Sequence, residues 1–323
     1  MSLFVVGFLL GLVHARPRVV GGWDGSTPSL DSPHFPWHVY THIRYGGPVV
    51  FPDGHAKCNL TQMAPLTARA HAHNISVLWA PHLDAHYITE GTTPPAYWKT
   101  IRSAVEACNV DGIEVDYEHP NALGIVTADR ANRYSRWLAT LRRILGKPVS
   151  ADIATPGVAP GNWILGWGNW INTTMLNRGD FDYVNSMSYH WSRYNDLWAW
   201  KKDIWILLKL WGIDPSRINV GVPLYSERWE HGQLLAEPTW RTLSPLCPHI
   251  PLQQTTCDNV LVVSKQMSLS LGALARKHRL GGFFPWTLSY DSYEHRDNTL
   301  TPYLLKGYAA PSEALLVSPM YKR

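Results

Sequence analysis

Charge is scarce in this chain. Only 17% of its 323 residues are Asp, Glu, Lys or Arg, and the 29 basic and 25 acidic side chains are spread without blocks. A nucleic-acid partner requires clustered Lys and Arg, so none is expected. Long apolar runs are missing too: no stretch reaches the roughly 18–20 residues of a membrane-spanning helix. No Gly-rich phosphate fingerprint follows an early strand, which argues against a dinucleotide-binding open sheet. Internal repeats and low-complexity tracts are absent, and with 45% hydrophobic residues the chain can bury a large core, which excludes disorder. Phenylalanines number only seven, against 16 tryptophans and 15 tyrosines. Aromatic rings with a polar handle suit surfaces that are half apolar and half wet, and a pyranose ring offers such a face.

Length alone would suggest two domains at about 150 residues each, yet an α/β barrel fills about 250 residues as one unit. Short β-branched or aromatic runs alternate with amphipathic ones, the pattern of βα units. Strands are predicted at Val19–Trp23, Val39–Tyr45, Ser76–Ala80, Asp111–Glu118, Val149–Ile153, Tyr183–Tyr189, Asn219–Pro223 and Gly282–Trp286. Between them, Tyr134, Trp137, Leu138, Leu141, Ile144 and Leu145 recur at helical spacing, with Thr127 as N-cap, and Leu197, Trp200, Ile204, Leu207, Leu208 and Trp211 do the same. Val260–Leu280 reads as the helix before the last strand. Eight such units predict a closed (β/α)8 barrel, a single domain over residues 16–323, with any active site at the C-terminal strand ends.

Residues 1–15 read as a secretory signal peptide: Leu3 to Val13 carries no charge, and Val13 and Ala15 stand where the peptidase inspects small residues. Secretion, or delivery to a lysosome or vacuole, is therefore expected, and the sequons at Asn59, Asn74 and Asn172 fit that route. Four cysteines in an oxidising compartment invite disulfides. Cys247 and Cys257 share a Pro-rich loop and are predicted to pair. Cys108 falls on the apolar stripe Tyr97, Ile101, Ala104, Val105 and reads as a buried thiol. Cys58 is placed at the opposite end of the barrel from Cys108, so one disulfide is expected rather than two.

The segment Asp111-Gly112-Ile113-Glu114-Val115-Asp116-Tyr117-Glu118 carries the chemistry. A strand alternates its side chains, so Glu114, Asp116 and Glu118 share one face while Ile113, Val115 and Tyr117 share the other. On a barrel strand the apolar set meets the helices and three carboxyls face the interior. Neighbouring acids push at least one pKa upward, and a carboxyl kept protonated near neutrality is what a general acid for a glycosidic oxygen requires. Asp152 on the fifth strand is a further acid at a strand end. His82, Asp84 and His86 lack compelling ligand spacing and read as loop polarity, so no metal or other cofactor is expected.

This run resembles the signature of glycoside hydrolase family 18, the chitinases and their relatives, Asp-x-x-Asp-x-Asp-x-Glu on the fourth barrel strand. Asp111, Asp116 and Glu118 match, and Glu114 stands for the middle aspartate. Phe181 to Tyr189 is similar to the family's sixth strand, Gly221 to Tyr225 to its seventh and Gly281 to Trp286 to its eighth. The third strand departs, reading Val77-Leu78-Trp79-Ala80-Pro81 where the family has Ser-x-Gly-Gly, and His190 replaces an aspartate after Tyr189. Only a small insertion, roughly 50 residues, separates strands seven and eight, so the resemblance implies a shallow cleft closer to the chitobiase type.

In that family the substrate's own N-acetyl oxygen attacks the anomeric carbon. The resemblance implies that Glu118 protonates the leaving oxygen, Asp116 orients the acetamide and Glu114 shares a proton with Asp116. Tyr189 would donate to the acetamide oxygen, Trp286 would floor the reacting sugar, and His190 and Tyr225 would line the site. It implies a secreted, monomeric, retaining glycosidase on β-1,4-linked N-acetylglucosamine. A sugar-binding lectin without activity, and an endo-β-N-acetylglucosaminidase on N-glycan cores, are the alternatives.

Overall fold

All eight predicted barrel strands are present in the computed structural model. It describes residues 16–310 apart from 26, 48–58, 82, 84–86, 89–91, 118–127, 154–170, 189–196, 227, 231–232, 237, 259 and 295–297. The first strands and helices are β1 (Arg18–Trp23), β2 (His42–Gly47), α1 (Leu60–Ala72), β3 (Ser76–Pro81), α2 (Pro95–Ala107), β4 (Gly112–Val115) and α3 (Ala128–Leu145). There follow β5 (Val149–Ile153), α4 (Thr173–Arg178), β6 (Tyr183–Ser186), α5 (Leu197–Trp205, running on as a π-helical turn, Ile206–Leu210) and β7 (Ile218–Pro223). A short excursion then holds a hairpin, β8 (Arg228–Glu230) and β9 (Gln233–Ala236), the turn of helix α6 (Trp240–Leu243) and a second hairpin, β10 (Thr256–Cys257) and β11 (Val260–Leu261). The chain closes with α7 (Lys265–Lys277), β12 (Gly282–Trp286) and α8 (Thr301–Ala309).

Strands β1 to β7 and β12 pair in parallel around a closed ring, β12 joining β7 to β1. This is a (β/α)8 barrel. Outward-facing residues such as Ile113, Val115, Val149, Ala151, Val184 and Val220 pack against buried faces of the helices. Inside the ring, Val20, Leu78, Tyr183, Met187, Tyr225 and Phe284 form a second, smaller apolar cluster. Helix α2 begins with proline at its first turn and buries Tyr97, Ile101, Ala104 and Val105. Helix α7 is capped by Ser264, whose side chain accepts from the Met267 amide.

Several ends differ from the sequence reading. Val39 and Tyr40 are buried but precede β2, because the Val39 amide is spent in a turn on the Pro36 carbonyl. Strand β6 stops at Ser186, where the Ser188 amide turns back to the Ser186 carbonyl. Val260 and Leu261 belong to β11, and the barrel helix begins only at Lys265.

The Cys247–Cys257 disulfide is present, its Cα atoms 6.1 Å apart. The expectation of a single disulfide is overturned: Cys108 is disulfide-bonded, to a partner outside the described residues. An apolar stripe reports burial, and a half-cystine is as easily buried as a thiol, so periodicity could not separate the two. Of the sequons, Asn74 is exposed in the turn after α1, Asn59 precedes α1, and Asn172 caps α4. Residues 1–15, His82, Asp84, His86 and Thr127 lie outside the described residues.

Candidate active site

The acidic face of β4 points into the barrel as its alternation requires. Glu114 is fully buried, and Asp116, immediately beyond the last strand residue, keeps 27% of its side chain exposed at the C-terminal end. Ile113, Val115 and Tyr117 occupy the other face, in the core against the helices, where Tyr117 packs on Tyr134 of α3.

Between the two acids stands Arg44, the third residue of β2. Its Nε lies 2.6 Å from Glu114 Oε1, and its Nη2 donates to Asp116 Oδ2 at 2.7 Å. The first contact is an ion pair whose N–H is out of line for a hydrogen bond. Asp152, from β5, comes within 3.7 Å of the same Nη2. Where the sequence suggested a proton shared between Glu114 and Asp116, a guanidinium bridges them. From β6, Asn185 Nδ2 donates to Glu114 Oε2 at 2.7 Å and to Asp152 Oδ1 at 2.8 Å. Asp116 Oδ1 is buried and accepts no hydrogen bond among the described residues.

Three carboxyls around one cation cannot all ionise without cost. Burial pushes Glu114 up to about 7; Arg44 pulls against that shift, Asp116 adds to it, and the bond from Asn185 opposes it. Burial likewise raises Asp152 well above the carboxylate range, with Glu114 and Asp116 acting in the same sense and Arg44 and Asn185 opposing. For Arg44, burial favours the neutral form, but the surrounding acids outweigh it and the guanidinium is held charged. Glu114 and Asp152 therefore titrate as a coupled pair, with Glu114 protonated in part at neutral pH.

Trp286, the last residue of β12, is partly exposed, with the Arg44 guanidinium 4.7 Å from its ring centroid and Phe284 tilted against it. Tyr225 is nearly buried beyond β7, its ring edge-on to Tyr290 at 6.5 Å. Thus Glu114, Asp116 and Trp286 meet around Arg44, while Tyr225 joins the interior aromatic cluster that Trp286 packs against. Glu118, Tyr189 and His190 lie outside the described residues.

Sequence reasoning missed Arg44, Asn185 and Asn219. All three are polar residues beside β-branched or aromatic neighbours on barrel strands, and for Asn219, in an otherwise apolar run, that interruption was the available signal. Among the described residues, no group of three or more His, Cys, Asp or Glu is arranged to hold a metal ion.

A closed parallel barrel with a buried acid cluster at the C-terminal end of one strand belongs to the class that builds catalytic sites on that face. The model of the family Glycosyl hydrolases family 18 matches residues 86–291, and the chain belongs to that family. In shape it is similar to a chitinase from Bacteroides thetaiotaomicron, with a TM-score of 0.69, 17% identity, and coverage of 92% of this chain and 97% of that one. It is also similar to a mutant GH18 chitinase from Cycas revoluta in complex with (GlcNAc)4, at TM-score 0.68, 15% identity and 90% and 99% coverage. At such identities the likeness speaks for the fold. A "chitinase-like effector" of Moniliophthora perniciosa is 26% identical over 178 residues, 50% of this chain. The match spans 40% of that relative's length.

Proposed function

We propose that this protein is a secreted glycosidase that cleaves β-1,4-linked N-acetylglucosamine chains with retention, using the substrate's acetamide as nucleophile. The observation that carries the reading is Asp116: it stands part-exposed at the C-terminal end of β4, one carboxylate oxygen tied to Arg44 and the other without a hydrogen-bond donor among the described residues. An acetamide N–H is a donor that such an acceptor suits, and a carboxyl group there would face the positive charge that develops on the cyclising sugar. Glu118, two residues further along the sequence, would protonate the leaving oxygen and then activate water. Two flanking carboxylates are not needed, because the attacking atom comes from the substrate. Trp286 supplies an apolar face beneath the ring, with Arg44 packed against its indole.

A second reading is binding without cleavage. It is favoured by the same guanidinium, which engages Asp116 and packs on Trp286 before any sugar arrives, and by the relative named as an effector. Chitotetraose incubated with wild type and with Glu118→Gln separates the two. Hydrolysis should occur in the wild type and fall by about 10²–10⁴-fold in the variant, with sugar binding kept. Binding without products in both proteins establishes the lectin, and a variant that keeps more than about a tenth of wild-type turnover removes Glu118 as the acid.

A further inference from the structure

A line of hydrogen bonds crosses the barrel interior from its floor to the acid cluster. Arg18 Nε donates to Asn219 Oδ1 at 3.0 Å, and Asn219 Nδ2 donates to Asn185 Oδ1 at 2.9 Å. Asn185 Nδ2 then donates to both Glu114 and Asp152. Both asparagines are wholly buried. Strand register explains why the line climbs. Arg18 is level with Gly282, Gly282 with Asn219, Asn219 with Asn185, and Asn185 with Asp152. These are the first residues of β1 and β12, the second of β7, the third of β6 and the fourth of β5. In a barrel of tilted strands, each step sideways from β12 onward is thus a step toward the C-terminal face.

The line has a forced direction. Arginine carries donors and no acceptor, so Asn219 must turn its oxygen to Arg18 and its NH2 to Asn185. Asn185 must then accept from below and donate above. Arg18 is itself fixed: its Nη2 bonds the Ser216 carbonyl at 2.6 Å, and its guanidinium lies 4.5 Å from the Tyr183 ring centroid. Gly281 leaves the room, since a Cβ there would strike both the guanidinium and that carbonyl.

We propose that Arg18, at the end of the barrel remote from substrate, is a positioning residue for the acid cluster: through Asn219 it fixes Asn185 as a donor, and so holds Glu114 and Asp152 as acceptors. The inference rests on the reading of this cluster as catalytic. The groups facing the two acids are Arg44 from β2, Asp116 from β4, Asn185 and Tyr183 from β6 and Tyr134 from α3. His42, on β2, stands edge-on to Tyr183 on the floor side. Among the described residues, only Arg44 and Asn185 favour the ionised carboxyls by direct contact, so reversing the amide removes one of these two supports.

Asn219→Asp tests this at constant size. The new carboxylate accepts from Arg18 but cannot donate, so Asn185 must turn its NH2 downward and its oxygen toward Glu114 and Asp152, which can then bond it only when protonated. Carboxyl ¹³C NMR titration should show the cluster's midpoint rising by about one pH unit or more, with the acidic limb of kcat/KM following it. The Asn185 side-chain NH2 should also show nuclear Overhauser contacts toward residue 219 in place of those toward the acids, a change that an added charge without reversal does not produce. Arg18→Lys, a donor-only group like arginine, should retain the wild-type midpoint, and Arg18→Gln, which can donate or accept, should raise it. If Asn219→Asp does not fold, Arg18→Gln carries the same titration. A midpoint within about 0.3 units of wild type, or unchanged Asn185 contacts, overturns the proposal. The titration needs no turnover. A shifted midpoint in a protein that cleaves nothing contradicts the proposed function alone, and cleavage with an unshifted midpoint contradicts the role of Arg18 alone.

Discussion

Arg44 decides how the acid cluster carries its charge. One guanidinium, 5% exposed, neutralises parts of three carboxyls, and no other cation contacts them among the described residues. Truncation to methionine leaves the ionised fraction of these buried acids uncompensated. Arg44→Met should therefore cost about 3–5 kcal/mol of stability at neutral pH, read from urea denaturation. The loss should be smaller in mild acid, where the acids are protonated and the missing cation matters less; an equal loss at both pH values would show that packing, not charge, sets the effect. His42 makes a second residue-scale prediction. Burial, reinforced by Arg18, pushes its imidazole down to about 4, so it is neutral in the fold and takes a proton on unfolding below its ordinary value. Its contribution to stability is present above about pH 6.5 and is lost as pH falls from 6.5 toward 4, amounting to about 2 kcal/mol between pH 7 and 5. His42→Gln should flatten the stability profile by that amount, and an unchanged slope would mean the imidazole is not neutral in the fold.

At the scale of elements, the last two helices are the tightest contact outside the sheet. Gly272 of α7 lies against the Leu304 carbonyl of α8, and Gly307 of α8 against the Leu269 carbonyl of α7, so a Cβ at either position strikes backbone. Gly272→Ala should cost about 1–3 kcal/mol despite alanine's better helix propensity, because the helices must separate. A thermal midpoint at or above wild type would show that they slide apart freely. The excursion after β7 is held differently: Cys247–Cys257 closes a separation of ten residues, which in the chain-entropy model contributes about 2–3 kcal/mol. The Asn298 side chain bonds the Cys247 and Pro248 carbonyls and joins that loop to the segment before α8.

Across the whole molecule, what the sequence revealed and what it hid have physical causes. β-branched runs separated by amphipathic ones identify strands because a barrel strand is apolar outward whatever its interior holds, and β5 and β12 were legible to the residue. Ends were not, because ladder bonds define them, as at Val39, whose amide is used elsewhere. Glu114 and Asp116 were visible as an alternating pair on one strand. Arg44, Asn185 and Asn219 were not, since each lies on a different strand and only barrel closure brings them together. Cys108 shows the reverse error, a correct burial with the wrong chemistry inferred from it.

The proposed function places an acid face on one side of the sugar and the nucleophile within the substrate. Early-time proton NMR of the products from chitotetraose, run beside its deacetylated counterpart, tests that arrangement most directly. The β-anomer should appear first, since two displacements at one carbon retain configuration, and the deacetylated chain should be left essentially uncut because it has no acetamide to cyclise. An α-anomer as the first product, or equal rates on the two chains, would contradict the account.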